Sequence, residues 1–87
     1  MATRDSVNAL LQQCQDALNF ANDQLEEGRT QEHYNDIGYT NALQSLEDAY
    51  NDLAKLAHSA NSEQREQLHR MRLQLQQLQN QMITLPH

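Results

Sequence analysis

Residues 39–60 read Tyr39-Thr40-Asn41-Ala42-Leu43-Gln44-Ser45-Leu46-Glu47-Asp48-Ala49-Tyr50-Asn51-Asp52-Leu53-Ala54-Lys55-Leu56-Ala57-His58-Ser59-Ala60, and their spacing decides the fold. Tyr39, Leu43, Leu46, Tyr50, Leu53, Ala57 and Ala60 recur at intervals of 4, 3, 4, 3, 4 and 3 residues. A turn of α-helix takes about 3.6 residues, so this alternation lines one apolar stripe. Ala42, Ala49 and Leu56 flank the stripe at seven-residue intervals. Asn35 or Asp36 is placed to cap the start, with Gly38 inside the first turn.

The pattern repeats on both sides. Upstream, Val7, Leu11, Cys14, Leu18, Ala21 and Leu25 are spaced 4, 3, 4, 3 and 4, with Leu10 and Ala17 widening the stripe. Thr3 or Asp5 can cap it, and its projection meets Gly28, Glu32 and Asn35, where the apolar pattern stops. Downstream, Asn61-Ser62-Glu63-Gln64 has the spacing of a capping box. Leu68, Met71, Leu75, Leu78, Met82 and Leu85 then follow at 3, 4, 3, 4 and 3, with Gln67, Gln74 and Gln81 along one shoulder and Pro86 at the end.

These segments predict helices over about 4–28, 36–59 and 62–84 within one domain of 87 residues. Similar lengths and short connections favour an all-α, antiparallel up-down-up three-helix bundle. A chain this short buries only about 60–65% of its unfolded surface, so the core is thin. The alternative is therefore a long helical hairpin that completes its core by dimerising.

Composition narrows the function classes. Residues 1–60 carry ten acids against Arg4, Arg29 and Lys55, whereas residues 61–87 carry Glu63 and Glu66 against Arg65, Arg70 and Arg72. The net charge of −6 repels phosphate backbones and argues against nucleic acid as a partner. No apolar run approaches the roughly 18 residues of a membrane span, and the first residues lack the pattern of a secretory signal. With a single cysteine, the chain is expected to be cytoplasmic. Asn and Gln make up 21 residues, but they alternate with apolar positions and read as polar helix faces rather than a disordered tract.

No constellation specifies a reaction, a cofactor or a small-molecule substrate. Glu32, His33 and Asp36 lie close enough in sequence to consider a divalent metal, although capping and hydration explain them more simply. Cys14 falls on an apolar stripe and has Gln13, Gln15 and Asp16 as neighbours, which suits a small core residue better than a reactive thiol. Tyr39 and Tyr50 are expected at the edges of the bundle, His58 at the end of the second helix, where a protonated imidazole complements the dipole, and His69 facing solvent. Arg65, Arg70 and Arg72 have acids beside them and no interleaved aromatic, so they read as a solvated face. Phe20, Leu73, Ile37 and Ile83 fall off the stripes. A partner surface, if present, is expected around Phe20, Arg70, Arg72 and Leu73.

Four tracts carry a resemblance: Ala2-Thr3-Arg4, Gln31-Glu32-His33-Tyr34-Asn35-Asp36, Leu46-Glu47-Asp48-Ala49, and Gln64-Arg65-Glu66-Gln67-Leu68-His69-Arg70-Met71-Arg72-Leu73-Gln74-Leu75-Gln76. Together they make the chain similar, along its whole length, to the small YtzC-like proteins of spore-forming bacilli. That family is a domain of unknown function and supplies no catalytic or binding residues. The resemblance implies a cytoplasmic bacterial protein tied to sporulation or stationary-phase life. The expected function is a non-enzymatic helical interaction module or regulator, bound to another protein or to itself. One alternative is a self-assembling structural protein linked to sporulation. Another is a small phosphatase of response regulators, whose Ser-Gln-any-Leu-Asp signature Gln44-Ser45-Leu46-Glu47-Asp48 does not match.

Overall fold

Each apolar stripe becomes a helix: α1 (Arg4–Gln31), α2 (Ile37–Ala57) and α3 (Ser62–Thr84). The computed structural model describes residues 2–31 and 37–84. Each helix packs against both others. The long dimension of 44 Å matches the roughly 42 Å expected of 28 helical residues at about 1.5 Å each, so the helices lie side by side.

Two hydrogen bonds set the directions. The Ala2 N–H donates to the Ser59 carbonyl at 2.9 Å, which brings the start of α1 to the end of α2. The Tyr39 hydroxyl donates to the Met82 carbonyl, which brings the start of α2 to the end of α3. The helices therefore run up, down and up, and the core is closed within one chain rather than by a second hairpin.

Local chemistry explains the helix ends. Thr3 and Ser6 cap α1 reciprocally, each side-chain oxygen accepting the other's backbone N–H at 3.0 Å. Asn61 and Gln64 form the expected capping box, with bonds of 3.0 and 2.8 Å. The C-terminal end of α2 tightens through His58, Ser59 and Ala60, whose N–H groups reach back three residues. Such bonds satisfy terminal carbonyls and turn the chain toward α3. Helix α1 runs past the expected end near residue 28 to Gln31, with Gly28 buried. Glycine costs a helix roughly 1 kcal/mol but does not break it, and here it continues the inward face.

The burial pattern corrects the predicted stripes. On α1, Leu10 and Ala17 are buried while Leu11 is only partly covered. On α2, Ala42 and Ala49 are fully buried, and the larger Leu43 and Tyr50 move to a flank. The spacing alone puts Leu43 and Tyr50 on the stripe and Ala42 and Ala49 at its flank, the reverse of what is found. A helix held between two neighbours instead places its small residues at the closest approach, where large ones do not fit. Tyr39 is also buried rather than at an edge. Its hydroxyl serves a carbonyl in the last turn of α3 whose ordinary helical donor would come from residue 86, a proline without an N–H.

The amides settle on the outside as expected. Gln12 donates to Asp16, Gln15 to Asn19 and Gln44 to Asp48, all at one-turn spacing.

Two substitutions test this packing. Tyr39→Phe leaves the Met82 carbonyl without the hydroxyl and should cost about 1–2 kcal/mol, seen as a Tm lower by roughly 5–10 °C. Ala49→Leu adds apolar bulk, yet it should destabilise by about 1–3 kcal/mol because the seam has no room. Urea denaturation should show its midpoint falling at an unchanged slope.

Candidate functional site

The flank of α2 that faces α3 changes in size along its length. Leu43 and Tyr50 are bulky, whereas Ala54 and Ala57 are small. Opposite the small pair, α3 presents Arg65, Leu68, His69 and Arg72. The result is an open groove of about 210 Å³ lined by Leu53, Ala54, Ala57, Arg65, Leu68, His69 and Arg72. Leu53 and Leu68 are core residues and form its floor, while Arg65, His69 and Arg72 are exposed. No lining residue is acidic.

Helical spacing places the three basic residues together. Arg65, His69 and Arg72 are separated by four and three residues and so share one face of α3. Both guanidiniums are held from within the chain. The Arg65 Nε–H donates to the Ala60 carbonyl at 3.1 Å, which fixes the root of the group at the α2–α3 turn. The Arg72 guanidinium carbon lies 5.6 Å from the centroid of the Tyr50 ring, a cation–π distance. Among the described residues, neither arginine has a carboxylate within ion-pair distance. Arg70 differs: it pairs with Glu66 at 2.8 Å across one turn.

The four residues of the expected partner surface do not form one patch. Arg72 joins the groove, and Arg70 lies with Glu66 off it. Leu73 is half-exposed and points about 180° from the core-facing stripe of α3 by helical rotation. Phe20 borders a separate surface cleft between α1 and α2, beside Ala17, Ser45 and Asp48. Sequence reasoning missed Ala54, Ala57 and His69 as groove residues. The 4-then-3 spacing of Arg65, His69 and Arg72 was readable, but which side of α3 would meet α2 was not.

Glu32, His33 and Asp36, the residues considered for a metal, lie outside the described residues. Among the described residues, no group of three or more His, Cys, Asp or Glu side chains is placed to hold a metal ion. No helix among them is long and apolar enough to cross a membrane.

Cys14 is fully buried in the core. Burial, and secondarily the negative charge of Asp52, pushes its thiol up from 9.0 to about 11. Gln13 donates to that same Asp52 carboxylate at 3.2 Å and ties α1 to α2 beside the thiol. A thiol held protonated and away from solvent is a packing group rather than a nucleophile.

A family model described as a protein of unknown function (DUF2524) matches residues 1–84. The chain is also similar to a protein of Bacillus subtilis (strain 168) described as uncharacterized protein YtzC. The two are 59% identical over 83 residues, covering 95% of this chain and 92% of that protein. No solved structure matches.

The Cys14 environment makes a pH prediction. A folded pKa above the unfolded value stabilises the fold below about pH 9, and that contribution is lost as pH rises through about 11. Native protein at pH 8 should react with a thiol reagent about 100-fold or more slowly than protein unfolded in urea. Cys14→Ser should abolish the labelling and lower stability by placing a hydroxyl in an apolar site.

Proposed function

The chain belongs to the DUF2524 family, and from that membership and the geometry of the α2–α3 groove we propose a non-enzymatic interaction module of the bacterial cytoplasm. It binds another protein through the face that α2 and α3 share. The observation that carries this reading is the union of a small apolar trough with two arginines on one rim, each held from within the chain and neither in an ion pair among the described residues.

Size favours a protein side chain as the occupant over a small molecule. Sites for small ligands typically enclose about 300–1,000 Å³ and bury most of the ligand, whereas this groove is about 210 Å³ and open to solvent. It suits a branched aliphatic side chain entering from a neighbouring surface. The fixed guanidiniums would orient what surrounds that side chain, with little ordering cost because the protein already holds them. The scaffold's part is rigidity: α2 and α3 are joined by a short turn and by the Tyr39–Met82 bond at their far end. The groove walls are thereby held at both ends.

Site-directed photocrosslinking in the native cell tests this reading. A photoreactive amino acid at position 54 or 69 should trap a discrete protein, whereas one at position 12 or 19, on the outer face of α1, should not. Equal yields from both faces, or no protein adduct from the groove during growth or starvation, would remove the basis for the proposal.

A further inference from the structure

The groove also specifies the chemistry of its occupant. We infer that it receives an acidic amphipathic helix, with an apolar residue seated over Leu53, Ala54, Ala57 and Leu68 and carboxylates engaging Arg65 and Arg72. This inference rests on the interaction reading above and adds the identity of the partner's side chains.

Charge complementarity selects an acidic occupant. The chain as a whole carries a net charge of −6, so an acidic protein meets repulsion over most of this surface. At the groove the balance reverses, with two arginines and a histidine lining it and no acid among the lining residues. A local positive site in a negative body directs where and in which register an acidic segment docks. The same overall charge opposes a long polyanion, whose phosphates would extend beyond the groove onto acidic helix faces. A short acidic helix stays within the favourable region.

Spacing selects a helix and its pattern. Arg65 and Arg72 are seven residues apart, or about 10.5 Å along α3. A partner helix lying along the groove presents carboxylates at that interval when acids occupy positions i and i+7. The apolar residue between them then falls at i+3 or i+4 on the same face, above the trough. The arginines are suited to this because their remaining donors have no carboxylate partner among the described residues. Nε of Arg65 is already used, and its two terminal amino groups have no partner among the described residues. Arg72 rests its ring-facing side on Tyr50 and likewise makes no ion pair among the described residues.

A charge series of peptides tests the inference on the full-length protein. Three helical peptides would share a leucine at i+3 and carry Glu, Gln or Lys at both i and i+7. Affinity would be measured by fluorescence anisotropy and mapped by amide chemical shifts. The Glu peptide should bind about tenfold or more tightly than the Gln peptide at low salt, with the gap closing as salt rises. Shifts should centre on Ala54, Ala57, Leu68 and His69. The double variant R65Q/R72Q should erase the preference, and R70Q, off the groove, should retain it.

Equal binding of the Glu and Gln peptides, a preference for Lys, no binding of the Glu peptide, or stronger binding of a single-stranded oligonucleotide would each overturn the inference. The outcome is separable from that of the broader proposal. Groove crosslinks to a protein, combined with peptides that show no acidic preference, would leave an interaction module with a different partner chemistry. Absence of groove crosslinks would remove the module itself.

Discussion

Close approach of the helices over small residues is the constraint on which the rest of this structure depends. Cys14 and Ala21 on α1 and Ala42 and Ala49 on α2 are fully buried or nearly so, alongside Leu46, Leu53, Leu68 and Leu75. A thin core gains little from area alone, because a short chain leaves much of itself in water. It compensates by density: small residues let the backbones come together, and the interspersed leucines then fill the remaining space. The buried Cys14 thiol belongs to this seam, and its raised pKa follows from the same exclusion of water.

The seam has consequences at the surface. Since Ala42 and Ala49 turn inward with Leu46 and Leu53, the large Leu43 and Tyr50 are left on a flank of α2. They do not cover all of it. Tyr50 fills the middle and gives Arg72 an aromatic face to rest on. Nearer the α2–α3 turn, Ala54 and Ala57 leave the trough between the helices open. The groove is therefore a product of side-chain size along one flank, and the basic residues of α3 become its rim because the turn sets α3 in that rotation. The Arg65 bond to the Ala60 carbonyl fixes the same turn from the other side.

Hydrogen bonds at the helix ends complete the frame. Thr3 with Ser6 and Asn61 with Gln64 satisfy N–H groups that a helix start leaves unpaired. Tyr39 does the corresponding service at the end of α3, where a proline four residues beyond Met82 removes the donor. The same contact locks α2 to α3, so a local deficit in one helix is used as a long-range tie. On the outer faces, Gln12 and Gln44 each donate to a carboxylate one turn on, which shows glutamines that composition alone left ambiguous serving as polar helix faces.

By itself, the sequence determined what depends on neighbours along the chain: three helices, the third one's bounds, the caps of α1 and α3 (the expected Asn35 or Asp36 cap of α2 lies outside the described residues), and the antiparallel order that short connections enforce. Periodicity and capping are local, so they are legible in one dimension. The tertiary structure alone decided which of two adjacent apolar residues faces the centre, as with Leu10 over Leu11 and Ala42 over Leu43. A stripe is wide enough to hold both, and only the placement of two neighbouring helices decides which one they cover; on α2 the covered one is the smaller alanine. It also decided that Arg72 and Arg65 share a groove with Ala54 and Ala57 while Phe20, Arg70 and Leu73 lie elsewhere. That outcome rests on the rotation of α3 about its own axis against α2, set by contacts between residues far apart in the chain and carried by no single segment.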